Sequence, residues 1–179
     1  SDVSIYTATG SAIARDTGQA SEGSASLLVN PANSAVGEGF YWESPKIARS
    51  INPQTITVQC EHRGASASGT VEINITDSSG TELASSGSSS LATSWTRITT
   101  QYTIPANTDP ASYRLYVVTQ ANHNINFYVD KIMFEVREDT TAVSTYLDGN
   151  QTSAEGNLYE WTGATNASTS IKKPAMSVI

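Results

Sequence analysis

The feature that most limits what this chain can fold into is a two-residue alternation of apolar and polar side chains. It recurs in short segments, most of them closed by glycine, proline or serine. In residues 55–61, Ile56, Val58 and Cys60 fall on one side and Thr55, Thr57, Gln59 and Glu61 on the other. In residues 70–76, Val71, Ile73 and Ile75 oppose Glu72 and Asn74. This period belongs to a strand with one face in a core and one facing something polar. Residues 24–30, 39–45, 95–104, 113–119 and 127–136 complete seven strand-like segments rich in β-branched and aromatic residues. No window carries an apolar stripe at the 3.6-residue spacing of an amphipathic helix. The pattern predicts an all-β sandwich of antiparallel strands, with jelly-roll connections favoured over immunoglobulin-like ones. Residues 55–61 and 70–76, the latter followed by the turn-forming Asp77-Ser-Ser-Gly80, are expected to pair as a hairpin or lie as neighbours.

Composition narrows the function classes. The 179 residues suit one main core. Seventeen acidic against ten basic residues leave a net charge of −7, a field that repels phosphate backbones and argues against nucleic acid as partner. Cys60 is the single cysteine, which leaves no internal disulfide framework and reads as a small core hydrophobe. No apolar run approaches the length of about 18 to 20 residues needed to span a bilayer, so no membrane insertion is expected. With serine at position 1, the chain is expected to be a processed or excised piece of a longer polypeptide. From residue 138 the composition shifts to Thr, Asn, Gly and Ser, with Tyr146, Leu147, Tyr159 and Trp161 as large apolar anchors. This predicts a sandwich over residues 1–137 and a short appended element over 138–179.

The order of the segments resembles the jelly-roll carbohydrate-binding modules of families four, nine and twenty-two. The matching stations are Gly23-Ser-Ala-Ser-Leu-Leu-Val29, Trp42-Glu-Ser-Pro-Lys-Ile47, Thr55-Ile-Thr-Val-Gln59, Val71-Glu-Ile-Asn-Ile-Thr-Asp77, Ser94-Trp-Thr-Arg97, Arg114-Leu-Tyr-Val117 and Phe127-Tyr-Val-Asp-Lys-Ile132. Residues 1–20 depart from the Asn- and Phe-containing first strand of such modules. A second pattern, Tyr146-Leu-Asp-Gly149, Trp161-Thr-Gly163 and Ser168-Thr-Ser170, resembles a segment that follows such modules in minor tail proteins of long-tailed bacteriophages. Together the resemblances imply a non-catalytic module of a phage tail, located on the virion, that attaches the particle to a host-surface saccharide. The implied partners are that saccharide, other tail subunits and further copies of the chain. A structural tail domain without sugar binding, and an accessory module of a secreted glycoside hydrolase, are the alternatives.

Sugars are recognised by aromatic faces that stack on the pyranose ring and by planar polar side chains that replace water around the hydroxyls. Outward positions offer Gln59, Glu61, Arg63, Glu72, Asn74, Arg114, Tyr116 and Gln120. Side by side across one sheet, they would form a saccharide groove; otherwise they make an ordinary solvated face. Tyr41 and Trp42 could add a stacking platform, although alternation turns at least one of them into the core, and Trp42 is taken with Gln59, Glu61, Asn74, Arg114 and Tyr116 as the ligand-binding set. The family resemblance also implies a structural calcium at Asp130, with Asp16, Glu22 and the Ser24 carbonyl as partners. The other reading has Asp130 capping a turn or pairing with Lys131 or an arginine. Catalysis is not expected. His62 and His123 are the only imidazoles, no nucleophile elbow or phosphate loop is present, and only Glu61 and Glu72 offer a conceivable glycosidase pair.

Overall fold

The computed structural model describes residues 3–138 in full and, beyond them, two further strands as backbone. Backbone contacts divide the chain into two compact units, Val3–Val143 and Ser144–Ile179 together with Ser1–Asp2. Among the described residues of the larger unit a 3-10 turn, Val3–Ile5, precedes eleven strands. They are β1 (Thr7–Thr9), β2 (Ser11–Asp16), β3 (Ser26–Pro31), β4 (Gly39–Glu43), β5 (Gln54–Gly64) and β6 (Thr70–Asp77). β7 (Glu82–Ser85), β8 (Ser89–Ser90), β9 (Thr96–Ile104), β10 (Tyr113–Thr119) and β11 (Phe127–Arg137) complete the set.

Two antiparallel sheets form a jelly-roll sandwich. The first sheet has the order β1-β4-β10-β6-β7, with β8 also on β6; the second has β2-β3-β11-β5-β9. Alternation decides what each sheet buries. Phe40, Val71, Ile73, Ile75, Leu115 and Val117 from the first sheet meet Leu27, Val29, Ile56, Val58, Cys60, Phe127 and Val129 from the second in one core. Each such side chain, once buried, contributes about 1.5–3 kcal/mol. Burial pushes the Cys60 thiol far up, which keeps it an unreactive core group.

One local expectation changes. β5 and β6 do not pair; they lie in different sheets. The link between them crosses the sandwich, which carries β6 to β10 and β5 to β11 and β9. Residues 1–20, which match the family pattern poorly, still form strands: β1 joins β4 of the first sheet and β2 joins β3 of the second. The serine-rich run at 85–90 is bracketed by β7 and β8, both paired to β6.

Gly39 shows why the β4 to β10 contact demands glycine. A Cβ at this position would lie 2.0 Å from the carbonyl oxygen of Val117, so any side chain would push the two strands apart.

In the smaller unit β12 (Asn157–Trp161) pairs antiparallel with β13 (Ser170–Pro174). Tyr159 and Trp161 occupy positions on β12, while Tyr146, Leu147 and the Asp148-Gly149 turn lie outside the described residues.

Candidate saccharide groove

The outer face of the first sheet gathers the polar residues that alternation turns away from the core. On β4 the inward residues are Phe40 and Trp42, and the outward ones are Tyr41 and Glu43. On β10 Leu115 and Val117 point inward, which sends Arg114 and Tyr116 out. On β6 Val71, Ile73 and Ile75 do the same for Glu72, Asn74 and Thr76. Register then places these outward residues in rows. Tyr41, Tyr116 and Asn74 are cross-strand partners in one row, and Glu43, Arg114 and Thr76 form the next.

The rows make a connected surface. The Tyr41 and Tyr116 rings lie 5.0 Å apart, tilted by 34°. The Arg114 guanidinium lies 5.2 Å from the centre of the Tyr41 ring and donates from Nε to Glu43 Oε2 at 3.1 Å. The hydrogen bond to Glu43 holds the guanidinium still more firmly in its charged form. Asn74 donates from Nδ2 to Glu72 Oε1 at 2.9 Å, and Ser85 donates to the other Glu72 oxygen at 3.1 Å. Asn74 Oδ1 is buried and without a partner among the described residues. A buried acceptor without a partner is costly, and a hydroxyl that reached it would relieve that cost. A groove of about 300 Å³ runs beside it, lined by Gly37, Asn74, Thr76, Gly80, Glu82, Tyr116 and Val118.

Of the six ligand-binding residues expected from sequence, Asn74, Arg114 and Tyr116 meet on this face. The other three lie elsewhere. Trp42 turns inward, its ring 5.1 Å from that of Phe134, and Tyr41 takes the outward place beside Tyr116. Gln59 and Glu61 sit on β5 in the second sheet. Gln59 is 1% exposed, with Nε2 against Met133 Sδ at 3.4 Å, and has no open path to a ligand. Glu61 is bonded by Ser21 Oγ and faces Lys131 and Arg97, each at 3.5 Å. The supposed single row was therefore two, one on each sheet. Tyr41 was within reach of sequence reasoning, since the choice between it and Trp42 is one of parity.

The groups expected to hold calcium make other bonds. Asp130 Oδ2 accepts the backbone N–H of Ser21 at 2.8 Å and of Glu22 at 3.1 Å, and its Oδ1 accepts that of Lys131 at 2.8 Å. Asp16 Oδ1 accepts the N–H of Gly18 and Gln19 at 2.9 and 2.8 Å, closing its own turn. Between Glu22 and Glu61 lies the Lys131 ammonium, 3.4 Å from the first and 3.5 Å from the second. Lys131 reaches there from a left-handed residue, φ 49°, at the irregularity between Asp130 and Met133. Among the described residues no group of three or more His, Cys, Asp or Glu side chains could hold a metal ion. The donor set fits an ammonium and backbone N–H groups, not a divalent ion with six to eight oxygen ligands. Burial pushes the Glu61 carboxyl up, but the Ser21 hydroxyl and Lys131 outweigh it and hold the carboxyl below its ordinary range.

A scan against family models found no match, and a search of curated proteins found none either. Solved structures are similar in fold. One is the family 22 carbohydrate-binding, xylan-binding domain of Paenibacillus barcinonensis Xyn10C, at 15% identity over 76% of this chain and 87% of that one, with a TM-score of 0.53. Another is the C-terminal family 22 carbohydrate-binding module of Clostridium thermocellum Xyn10B, at 22% identity over 80% and 91%, with a TM-score of 0.51. A family 4 carbohydrate-binding module shares 17% identity over 75% and 96%, with a TM-score of 0.53.

Proposed function

We propose that this chain is a non-catalytic saccharide-binding module whose ligand lies in the groove on the outer face of the β1-β4-β10-β6-β7 sheet. The observation that carries this reading is the Tyr41–Tyr116 pair in register with Asn74, beside a groove of about 300 Å³ that Tyr116 and Asn74 line. The pair offers an aromatic surface for the apolar face of a pyranose, and Asn74 and Arg114 offer planar polar groups for its hydroxyls. The fold likeness to xylan-binding modules supports it and makes a xylan-type chain the first ligand to try. Glu61 and Glu72 point away from opposite faces of the sandwich, so they cannot flank one scissile bond as glycosidase carboxylates must.

The finer reading places the module on a bacteriophage tail, on the virion, holding the particle to a host-surface saccharide. It is supported by the tail-protein pattern at Tyr146-Leu-Asp-Gly149, Trp161-Thr-Gly163 and Ser168-Thr-Ser170. Several copies on one particle would raise a weak single-site affinity through effective concentration.

A glycan-array screen with a pull-down on bacterial cell walls tests both levels. Retention by a glycan supports the module, and retention by one host's wall supports the adhesive role. No retention at millimolar ligand would leave a structural tail domain as the better account.

A further inference from the structure

The strands of the groove-bearing sheet carry one basic residue, Arg114, against four acidic ones, Glu43, Glu72, Asp77 and Glu82. Arg114 is committed to Glu43. Glu72 binds only the neutral donors Asn74 and Ser85 through its two oxygens, and Glu82 lines the groove itself. Neither is in an ion pair among the described residues. Beside them Asn74 lines the groove. The groove side of this sheet thus carries negative charge that no ion pair among the described residues offsets at Glu72 and Glu82.

We infer that the groove selects by charge: it takes neutral or amino-substituted pyranose chains and rejects uronates, with Glu72 and Glu82 as the residues that decide. The inference rests on the saccharide-binding reading and adds the class of sugar. A hydroxyl or ammonium on the ring donates to the flanking carboxylates, whereas a ring carboxylate there faces two like charges, with Arg114, the one basic residue of these strands, paired with Glu43. In a water-like dielectric, one unit charge about 5 Å away changes binding by roughly fourfold, so two carboxylates give a discrimination of about tenfold or more. Desolvation in the groove strengthens this, and salt weakens it.

Affinity electrophoresis of the whole chain through gels containing xylan, polygalacturonate or chitosan tests the inference, run at low salt and at a pH where the chitosan amines are charged. Retardation by xylan or chitosan with none by polygalacturonate is the expected result. Glu82→Gln and Glu72→Gln should each weaken chitosan binding several-fold, and together they should admit polygalacturonate. Equal retardation by neutral and uronate polymers would overturn the charge selection while leaving the groove intact. Retardation by none of the three would overturn the inference together with the saccharide reading beneath it.

Discussion

Tyr41 and Tyr116 face each other across the β4–β10 ladder, in register and with ring centres 5.0 Å apart, on the outward side of a sheet whose inward side is the core. Because the pair is built on two strands, its geometry is held by the ladder and not by a loop. The neighbour of Tyr41, Trp42, has the opposite duty, packing edge-on against Phe134 at 5.1 Å. Two adjacent aromatics therefore divide into one surface and one packing residue.

That division gives the first prediction. Trp42→Ala should lower stability by about 2–4 kcal/mol, because it removes a large ring from the margin of the core and leaves a cavity. Tyr41→Ala should cost far less. Urea unfolding of the two variants checks this; equal losses would mean that both rings are packing residues.

The Lys131 ammonium between Glu22 and Glu61 gives the second. Chelator and added calcium should both leave the Tm unchanged if the ammonium takes the place of an ion, since an ion bound only by the folded state would stabilise it by mass action. Lys131→Met should lower it, since Glu61 would keep its burial and lose one of its cations. A rise in Tm with calcium in the natural chain would restore Asp130, Asp16 and Glu22 as metal ligands.

His62 gives the third. It is fully buried, its Nε2 lies 2.8 Å from Ser89 Oγ, and burial pushes its pKa down to about 4. An unfolded histidine titrates near 6.5, so below that pH the unfolded chain binds a proton that the folded one refuses. Stability present above pH 6.5 is lost as the pH falls toward 4, by about 3 kcal/mol in all. His62→Gln should flatten this part of the pH profile of the urea midpoint; an unchanged profile would show that another group is responsible.

Glu38 gives the fourth. Its buried carboxylate accepts N–H groups from Ala32, Asn33 and Ala35, and the bond from Ala35 leads in holding it below the ordinary carboxylate range. A depressed pKa means stability present above the unfolded value and lost as pH falls through the folded one. Glu38→Gln should remove that acid-side loss and speed amide exchange at residues 32–35, next to the edge of the groove at Gly37. Unaltered exchange there would refute the role.

These relationships were unequally legible in the amino-acid sequence. Alternation in residues 55–61 and 70–76 reveals which side of each strand is buried, and the observed core follows it through Ile56, Val58, Cys60, Val71, Ile73 and Ile75. It says nothing of which sheet a strand joins, because pairing is a long-range choice. Hence Gln59 and Glu61 were grouped with Asn74, Arg114 and Tyr116, though the two sets lie on different sheets. Tyr41 and Trp42 were ambiguous for a different reason: three β-prone aromatics in a row mask the parity. The place of Lys131 was hidden by the irregularity after Asp130, which interrupts the strand's period where the side chain is re-aimed.

The central claim is that the Tyr41–Tyr116 face binds the glycan. Its most direct test is a calorimetric titration of the natural chain and of Tyr116→Ala with a neutral oligosaccharide cut from whichever polysaccharide retards the protein. Loss of one ring should weaken binding at least tenfold, about 1.4 kcal/mol, with the far-ultraviolet circular dichroism unchanged. Binding by Tyr116→Ala with the affinity of the natural chain would contradict the account, because the ligand would then lie on some other face of the sandwich.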